Sequence, residues 1–389
     1  MAIPDHVMSL YEKPKAGNAW IGNWKTSNYR HKIAAVGGFD SASCDIAVRS
    51  ESEAKRFLSQ FLGNRVAFFV DNPVKAIFEG YISRMSVGIG GVTHSISLDE
   101  MANRVAIQYS IGGAVAPSVG TTGNSTASQG VYGIKQDTVE LGAQTTLNAT
   151  TFNAMRDNIL ALRAWPKSST KPGGGNGLMH LDFQGFFHTL EWETLRNTAT
   201  GNVTLNNMID TIVLPVLANG ATFFNNADFT EVGANTLTMN QEKIRGTTAW
   251  EVLQEIQEYG DATNPFILGL SQTNMLTGTR RLYYRAINTD IVYTARTADG
   301  LRIRNTYGKL IDPWRVRPDA GIRVQDRLIA FNGIGDNPDE TYVKYITYDA
   351  NTQRVEYQGD DDLTTEGVFN FRRYAKTTGK RFGAVRRVA

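Results

Sequence analysis

The chain has 389 residues, 41% of them hydrophobic and 20% charged, which is enough to bury a sizeable core and predicts two or three domains. A formal net charge of +2 excludes a whole-molecule field built for tight nucleic-acid binding. The single cysteine, Cys44, excludes an intrachain disulfide and any multi-cysteine metal site, and reads as a small buried residue rather than a nucleophile.

No apolar run approaches the roughly 20 residues that cross a bilayer, so no membrane insertion is expected. The longest, residues 212–218, is broken by Pro215. The first six residues carry no basic region followed by an apolar core, so no secretory signal is expected.

Residues 1–112 read as strands and one helix. The helix follows Ser50-Glu51-Ser52-Glu53, a capping box in which the serine oxygen bonds a free N–H and the glutamate reaches back to the cap. Ala54, Phe57, Leu58 and Phe61 then recur at helical spacing until Gly63-Asn64. Strand-like runs 65–70 and 76–86 flank the turn Asp71-Asn72-Pro73, and Gly88-Ile89-Gly90-Gly91 leads into a run with period-two alternation. Val92, His94, Ile96 and Leu98 are expected to pack inward, and Thr93, Ser95 and Ser97 to face solvent or a lumen.

Residues 112–129, rich in Gly, Ser, Thr and Ala, predict a linker or long loop. A second unit opens at Tyr132-Gly133-Ile134. Its helix, 151–164, carries Phe152, Met155, Ile159 and Leu162 on one apolar face and stops at Trp165-Pro166. An exposed loop over 167–177 and a strand over 178–192, interrupted at Gln184-Gly185, come next.

Between 197 and 276 the pattern turns helical. Leu205, Met208, Ile209, Ile212, Val213, Val216 and Leu217 form a stripe with Pro215 as a kink, and a second capping box, Thr248-Ala249-Trp250-Glu251, starts a helix burying Trp250, Leu253 and Ile256 before Gly260. Strands return at 281–287, 291–295, 301–305, 321–329, 342–349, 354–357 and 368–372, and predict an antiparallel barrel or sandwich. The tail, 372–389, holds seven basic and no acidic residues just after Asp360-Asp361-Asp362. It reads as solvated or docked on a neighbouring subunit, with phosphate-backbone contact as the alternative. The expected fold class is α+β, mainly antiparallel β, with barrel or sandwich units at both ends (1–112 and 281–389) and mixed modules between them (113–196 and 197–280).

The candidates for chemistry are sparse. Gly88-Ile89-Gly90-Gly91 is followed by a strand, so no helix N-terminus is available to hold a pyrophosphate, and a hairpin turn is expected. Thr378-Gly379-Lys380-Arg381 fails as a phosphate loop because Arg381 replaces the magnesium-binding hydroxyl and Tyr374 the first glycine. His180 and His188, with Asp182 and Glu191 nearby, leave open a metal pair or two half-buried polar aromatics. Asp336, Asp339, Glu340 and the triple aspartate match no EF-hand spacing and read as solvated turns, with a calcium site left open. No Gly-x-Ser-x-Gly elbow occurs. No catalytic, cofactor or metal residue is assigned and no cofactor is expected.

The layout itself carries the remaining signal. A strand-rich start, a helix before Gly63-Asn64-Arg65-Val66, the strand Ile77-Phe78-Glu79-Gly80-Tyr81-Ile82 and the glycine-turn hairpin into Leu98-Asp99-Glu100-Met101-Ala102-Asn103-Arg104-Val105 resemble the first tube-forming domain of bacteriophage tail hub (baseplate hub) proteins. Tyr132-Gly133-Ile134 and the late run Asp312-Pro313-Trp314-Arg315-Val316-Arg317-Pro318 resemble the later parts of such proteins. The resemblance implies a non-enzymatic virion component at the tail tip, made in the host cytoplasm. It also implies a homotrimeric hub whose two tube-type domains per chain build a pseudo-sixfold ring between the tail tube (or distal tail protein) and a spike or fibre, around a channel through which DNA passes. Two alternatives stand beside it: a receptor- or carbohydrate-binding tail protein using Trp20, Trp24, Trp165 or Trp314, and a cell-wall hydrolase.

Overall fold

The computed structural model describes residues 6–13, 19–34, 37–70, 76–111, 118–144, 149–175, 177–195, 200–213, 231–232, 235–244, 246–259, 266–274, 279–286, 292–296, 302–305, 310–311, 327–331, 339–351 and 354–359. The expected turn at Asp71-Asn72-Pro73, the run around Trp314, the aspartates 360–362 and the basic tail lie outside these residues.

The chain begins with β1 (His6–Tyr11), β2 (Trp20–Ala34) and β3 (Gly38–Ala47), then α1 (Glu51–Gln60), β4 (Arg65–Val70), β5 (Phe78–Ile89) and β6 (Val92–Ser97). Strands β7 (Arg104–Ile111), β8 (Ser118–Val119) and β9 (Gly123–Asn124), helix α2 (Thr126–Tyr132), β10 (Gln136–Gln144) and helix α3 (Ala149–Arg163) make an excursion before β11 (Lys167–Pro172) and β12 (Leu178–Gln184). The six strands β1, β4, β5, β12, β3 and β2 then hydrogen-bond in that order, and β1 pairs back onto β2, which closes an antiparallel barrel. Residues 1–112 therefore supply five of the six barrel strands, and β12 comes from beyond them.

Closure follows from the length and patterning of the strands. β2 has 15 residues, so its first part, Trp20–Thr26, pairs with β1 while Ser27–Ala34 pairs with β3. β5 pairs with β4 over Phe78–Tyr81 and with β6 over Arg84–Ile89. Inward positions alternate as a half-buried strand requires: Met179, Leu181 and Phe183 on β12 and Ala42, Cys44 and Ile46 on β3 are all buried, and on β5 a register shift after Ile82 resets the alternation to Met85 and Val87, all three buried. Phe68 and Phe183 meet edge to face at 5.0 Å, and Tyr29 stacks on Phe68 at 4.4 Å. Helix α1 closes one side with Ala54 and Phe57, and Trp24 packs on Phe57 at 5.4 Å.

Both capping boxes form, with one difference. At α4 (Ala249–Tyr259) the exchange is reciprocal, Thr248 N–H to Glu251 Oε2 at 2.7 Å and Glu251 N–H to Thr248 Oγ1 at 3.2 Å, and Trp250, Leu253 and Ile256 are buried as expected. At α1 the Glu53 N–H donates to Ser50 Oγ, but the Glu53 carboxylate accepts from Arg49 N–H, one residue before the cap. The β5–β6 turn is a two-residue hairpin turn: Gly90 and Gly91 have φ of +61° and +79°, the left-handed pair that matches strand twist.

Three sequence expectations are revised. The expected loop 167–177 contains β11, which pairs with β6 from Lys167↔Ser97 to Pro172↔Val92. The expected linker 112–129 contains β8, β9 and the start of α2, with β8 and β9 paired to β7. The strand after 178 ends at Gln184, where the chain turns into a 3-10 helix, Phe186–Trp192. Gly185 is the reason for that turn: its N–H bonds to Asp40 carbonyl, and a Cβ there would sit 1.6 Å from the Phe39 carbonyl oxygen.

The excursion is a small sheet in which β7 pairs parallel to β10, with α3 against β7. The helical stretch from 205 is one short turn, Leu205–Asn207, followed by a π-helix, Met208–Val213, with Leu205, Met208, Ile209 and Val213 buried. Residues 216 and 217 of the expected stripe lie outside the described residues. Short strands β13 (Asn202–Thr204) and β15 (Thr238–Asn240) pair with one another, and β14 (Glu231–Val232) pairs with β17 (Thr279–Ala286), which also pairs with β16 (Phe266–Asn274). The late strands β18 (Val292–Arg296), β19 (Arg302–Asn305), β20 (Leu310–Ile311), β21 (Arg327–Phe331), β22 (Asp339–Asp349) and β23 (Arg354–Gly359) do not stand apart from the barrel sheet. β22 pairs with Arg30–Ala34 of β2 and joins them to it.

Candidate functional site

The outer face of this sheet is where the strand registers collect the chemistry-bearing residues. One row runs Ser169, Ser95, Ser86, His180, Asp45 and Ser27 across β11, β6, β5, β12, β3 and β2. The next runs Lys167, Ser97, Arg84, Asp182, Ser43, Arg30 and Asp349, reaching β22. At about 4.8 Å between strands, a seven-strand row spans roughly 29 Å. The charges compensate locally: Arg84 Nη2 meets Asp99 at 2.5 Å and Arg30 meets Asp349 at 2.9 Å.

His180 is the hub of the first row. Its Nδ1 lies 2.7 Å from Asp45 Oδ1 and its Nε2 3.2 Å from Asp182 Oδ1, and Asn28 Nδ2 donates to the other Asp45 oxygen at 2.6 Å. The hydrogen bond to Asp182, with that to Asp45 and against partial burial, raises its pKa to about 9. His180 is thus an imidazolium at neutral pH, and both ring nitrogens are spent on carboxylates. It has no free nitrogen to activate the neighbouring Ser86, so the row is not arranged as a hydrolytic triad.

A cleft of about 480 Å³ opens beside it, lined by Asp45, Ser86, Thr93 and His180 and roofed by Gly174 and Gly175. The roof is close because glycine permits it: a Cβ on Gly88 would stand 2.5 Å from Gly175 N, and one on Gly174 2.3 Å from Thr93 Oγ1. Thr93 Oγ1 donates to Gly173 carbonyl at 2.7 Å, and Gly173 N–H to Gly91 carbonyl at 2.8 Å, pinning the loop.

The second histidine is elsewhere. Because the chain leaves β structure at Gly185, the equal parity of 180 and 188 does not place them together. His188 Nε2 bonds Asp40 Oδ1 at 3.0 Å and its ring stacks on Phe187 at 4.1 Å, with Glu191 3.9 Å away. No group of three or more His, Cys, Asp or Glu side chains able to hold a metal occurs among the described residues. Cys44 is buried and its thiol pKa is pushed well up by burial.

Of the tryptophans, Trp24 is half-buried against α1, whereas Trp20 and Trp165 are 59% and 49% exposed. The predicted apolar face of α3 divides. Phe152 packs on Tyr109 at 5.0 Å, but Met155 is exposed and Leu162 is 74% exposed. Every residue of the adjacent β11 is exposed, and only one of its edges is paired among the described residues. On β6 the expected two-faced pattern is muted: Val92 through Ser97 are all half-buried, because β11 lies alongside and the glycine loop covers Thr93.

Two polar centres, one half-buried around Lys135 and one buried among rings, are not foreshadowed by the sequence. Lys135 Nζ donates to the Leu98 and Asp99 carbonyls at 2.5 and 2.9 Å, and burial lowers its pKa to about 8. His6, Tyr29, His31 and Tyr348 form a ring cluster in which His6 Nε2 and Tyr348 OH are 2.9 Å apart and Tyr29 OH and His31 Nδ1 3.0 Å. Their separation of up to 342 residues leaves no local signal.

No family model and no curated protein matches the chain. Three similar solved structures are tail proteins. A 43 kDa tail protein of prophage MuSo2 from Shewanella oneidensis is 8% identical over 90% of this chain and 94% of that chain, with a TM-score of 0.38. A prophage tail protein from Listeria monocytogenes is 9% identical over 88% and 90%, with a TM-score of 0.34. A tail protein from Neisseria meningitidis is 10% identical over 88% and 92%, with a TM-score of 0.35. At scores this low the likeness carries no argument.

Proposed function

We propose that the chain is a structural subunit of a phage tail tip, a hub that assembles with copies of itself around a channel and joins the tail tube to a spike or fibre. The observation that carries this reading is the seven-strand polar face. A passage for DNA needs a broad wetted wall that does not grip phosphate, because each tight phosphate contact adds affinity through counterion release. The rows of Ser, paired Arg, Asp and imidazolium supply such a wall: hydrogen-bonding groups throughout, with Arg30, Arg84 and His180 already neutralised by Asp349, Asp99, Asp45 and Asp182. The exposed α3 face and the edge of β11 that is unpaired among the described residues provide surface for contact between copies, since exposed apolar side chains and open strand edges favour association. A trimer is the state this reading takes from the resemblance of the N-terminal layout to tail hubs.

Two measurements test it. Gold-labelled antibody against the chain should mark the distal end of the tail, and the purified chain should sediment at three times its monomer mass. Label along the tube or absent from particles, or a stable monomer at high concentration, would oppose the reading.

A further inference from the structure

The late strand β22 reaches back from residue 345 onward to dock on β2, and the docking contact is chemically unusual. Tyr348 is 1% exposed and inserts among three rings: His6 of β1 at 5.6 Å, Tyr29 of β2 at 6.2 Å and His31 of β2 at 5.4 Å between centroids. His6 and His31 are themselves 4% and 2% exposed. The groups facing His31 are His6 from β1, Tyr29 from its own strand, Tyr348 from β22 and Phe78 from β5, none of which is an anion at neutral pH. The outer ion pair Arg30–Asp349 lies on the opposite side of the strands.

We infer that this ring cluster is an acid-released latch: protonation of His31 frees β22 from β2 while the barrel stays closed through β1. The selectivity has a geometric basis. β22 covers only Arg30–Ala34, whereas β1 holds Trp20–Thr26 of the same strand and β3 holds the rest. A His31 imidazolium in the docked state has no carboxylate partner among the described residues and faces a second histidine, and undocking exposes it to water at the loss of the short β2–β22 pairing, the Arg30–Asp349 ion pair and the Ala350 N–H bond to Tyr29. Burial first, and then His6, lower the His31 pKa to about 3. The sign follows: docked His31 is neutral, released His31 takes a proton below its ordinary value near 6.5, so docking weakens as pH falls from about 6.5 toward 3. The latch goes beyond the tail-tip reading and stands or falls separately from it.

Cys44 makes the test possible because it reports barrel opening from within the core, 0% exposed. In the full chain, Ala350→Cys places a second thiol at a buried position next to Tyr348, where the backbone N–H bonds Tyr29 carbonyl at 2.9 Å. Both thiols are labelled with 4,4′-dithiodipyridine at pH 7 and pH 5, each rate is divided by that of the unfolded chain at the same pH, and peptide mass spectrometry separates the two sites. The introduced thiol should speed up about twentyfold relative to Cys44, as expected for one histidine neutral when docked and ordinary when released. Adding His31→Asn should remove most of that response. An unchanged ratio, equal acceleration at both thiols, or an undiminished response with His31→Asn would overturn the latch. If His31→Asn does not fold, Cys44 labels freely already at pH 7, and the pH series on the otherwise native chain decides alone.

Discussion

Single side chains set the stability and pH response of the barrel. Phe183 is 1% exposed and packs edge to face on Phe68, so Phe183→Ala should cost about 3–5 kcal/mol in denaturant unfolding through lost burial and a residual cavity. His31 and His180 titrate in opposite senses. For His31, depressed to about 3, stability should decline as pH falls from about 6.5 toward 3. For His180, raised to about 9, the contribution is present below about 6.5 and is lost as pH rises toward 9. With a side chain 48% exposed, its worth is under about 1 kcal/mol after solvent screening. Melting temperatures of the native chain and His180→Gln should differ slightly at pH 6 and converge by about pH 9.5; a gap that widens with pH would contradict the assigned charge. The polar rows are legible in the sequence only as period-two runs in each strand. Which Asp meets which His depends on register between strands up to 135 residues apart, and no local pattern encodes that.

Elements whose cause is local are readable in advance. The Thr248–Glu251 box, the Gly90-Gly91 turn and the alternation of β12 each follow from a few adjacent residues. Thr248→Ala should therefore destabilise by about 1 kcal/mol, seen as a small drop in denaturant midpoint without a change in slope. Gly91→Val should cost more than Gly91→Ala although a Cβ at this position would meet nothing within 4 Å, because the penalty comes from the positive φ and rises with β-branching. Elements whose cause is tertiary are misread from sequence. β11, with the sequence Lys-Ser-Ser-Thr-Lys-Pro, has the composition of a loop and is a strand because β6 offers it an edge. The face of α3 reads as core because Met155 and Leu162 keep helical spacing, yet both stay exposed on the single chain.

At the scale of the molecule, the barrel is assembled from distant pieces. β12 sits between β5 and β3 after a long excursion, and β22 adds to β2 from the far end of the chain. A fragment of residues 1–112 lacks β12 and leaves the β5 and β3 edges open, so it should be unfolded or aggregated by circular dichroism and light scattering. Residues 1–195 retain all six barrel strands and should fold. A cooperatively folded 1–112 fragment would mean that β12 is dispensable. A tail-tip ring with the seven-strand face on a channel is tested most directly by electron cryomicroscopy of the purified particle. Copies of this chain should form a closed ring at the distal end of the tail, with Ser86, His180 and Asp45 turned toward the axis; a map in which the chain is absent, or in which that face is buried or turned outward, would contradict it.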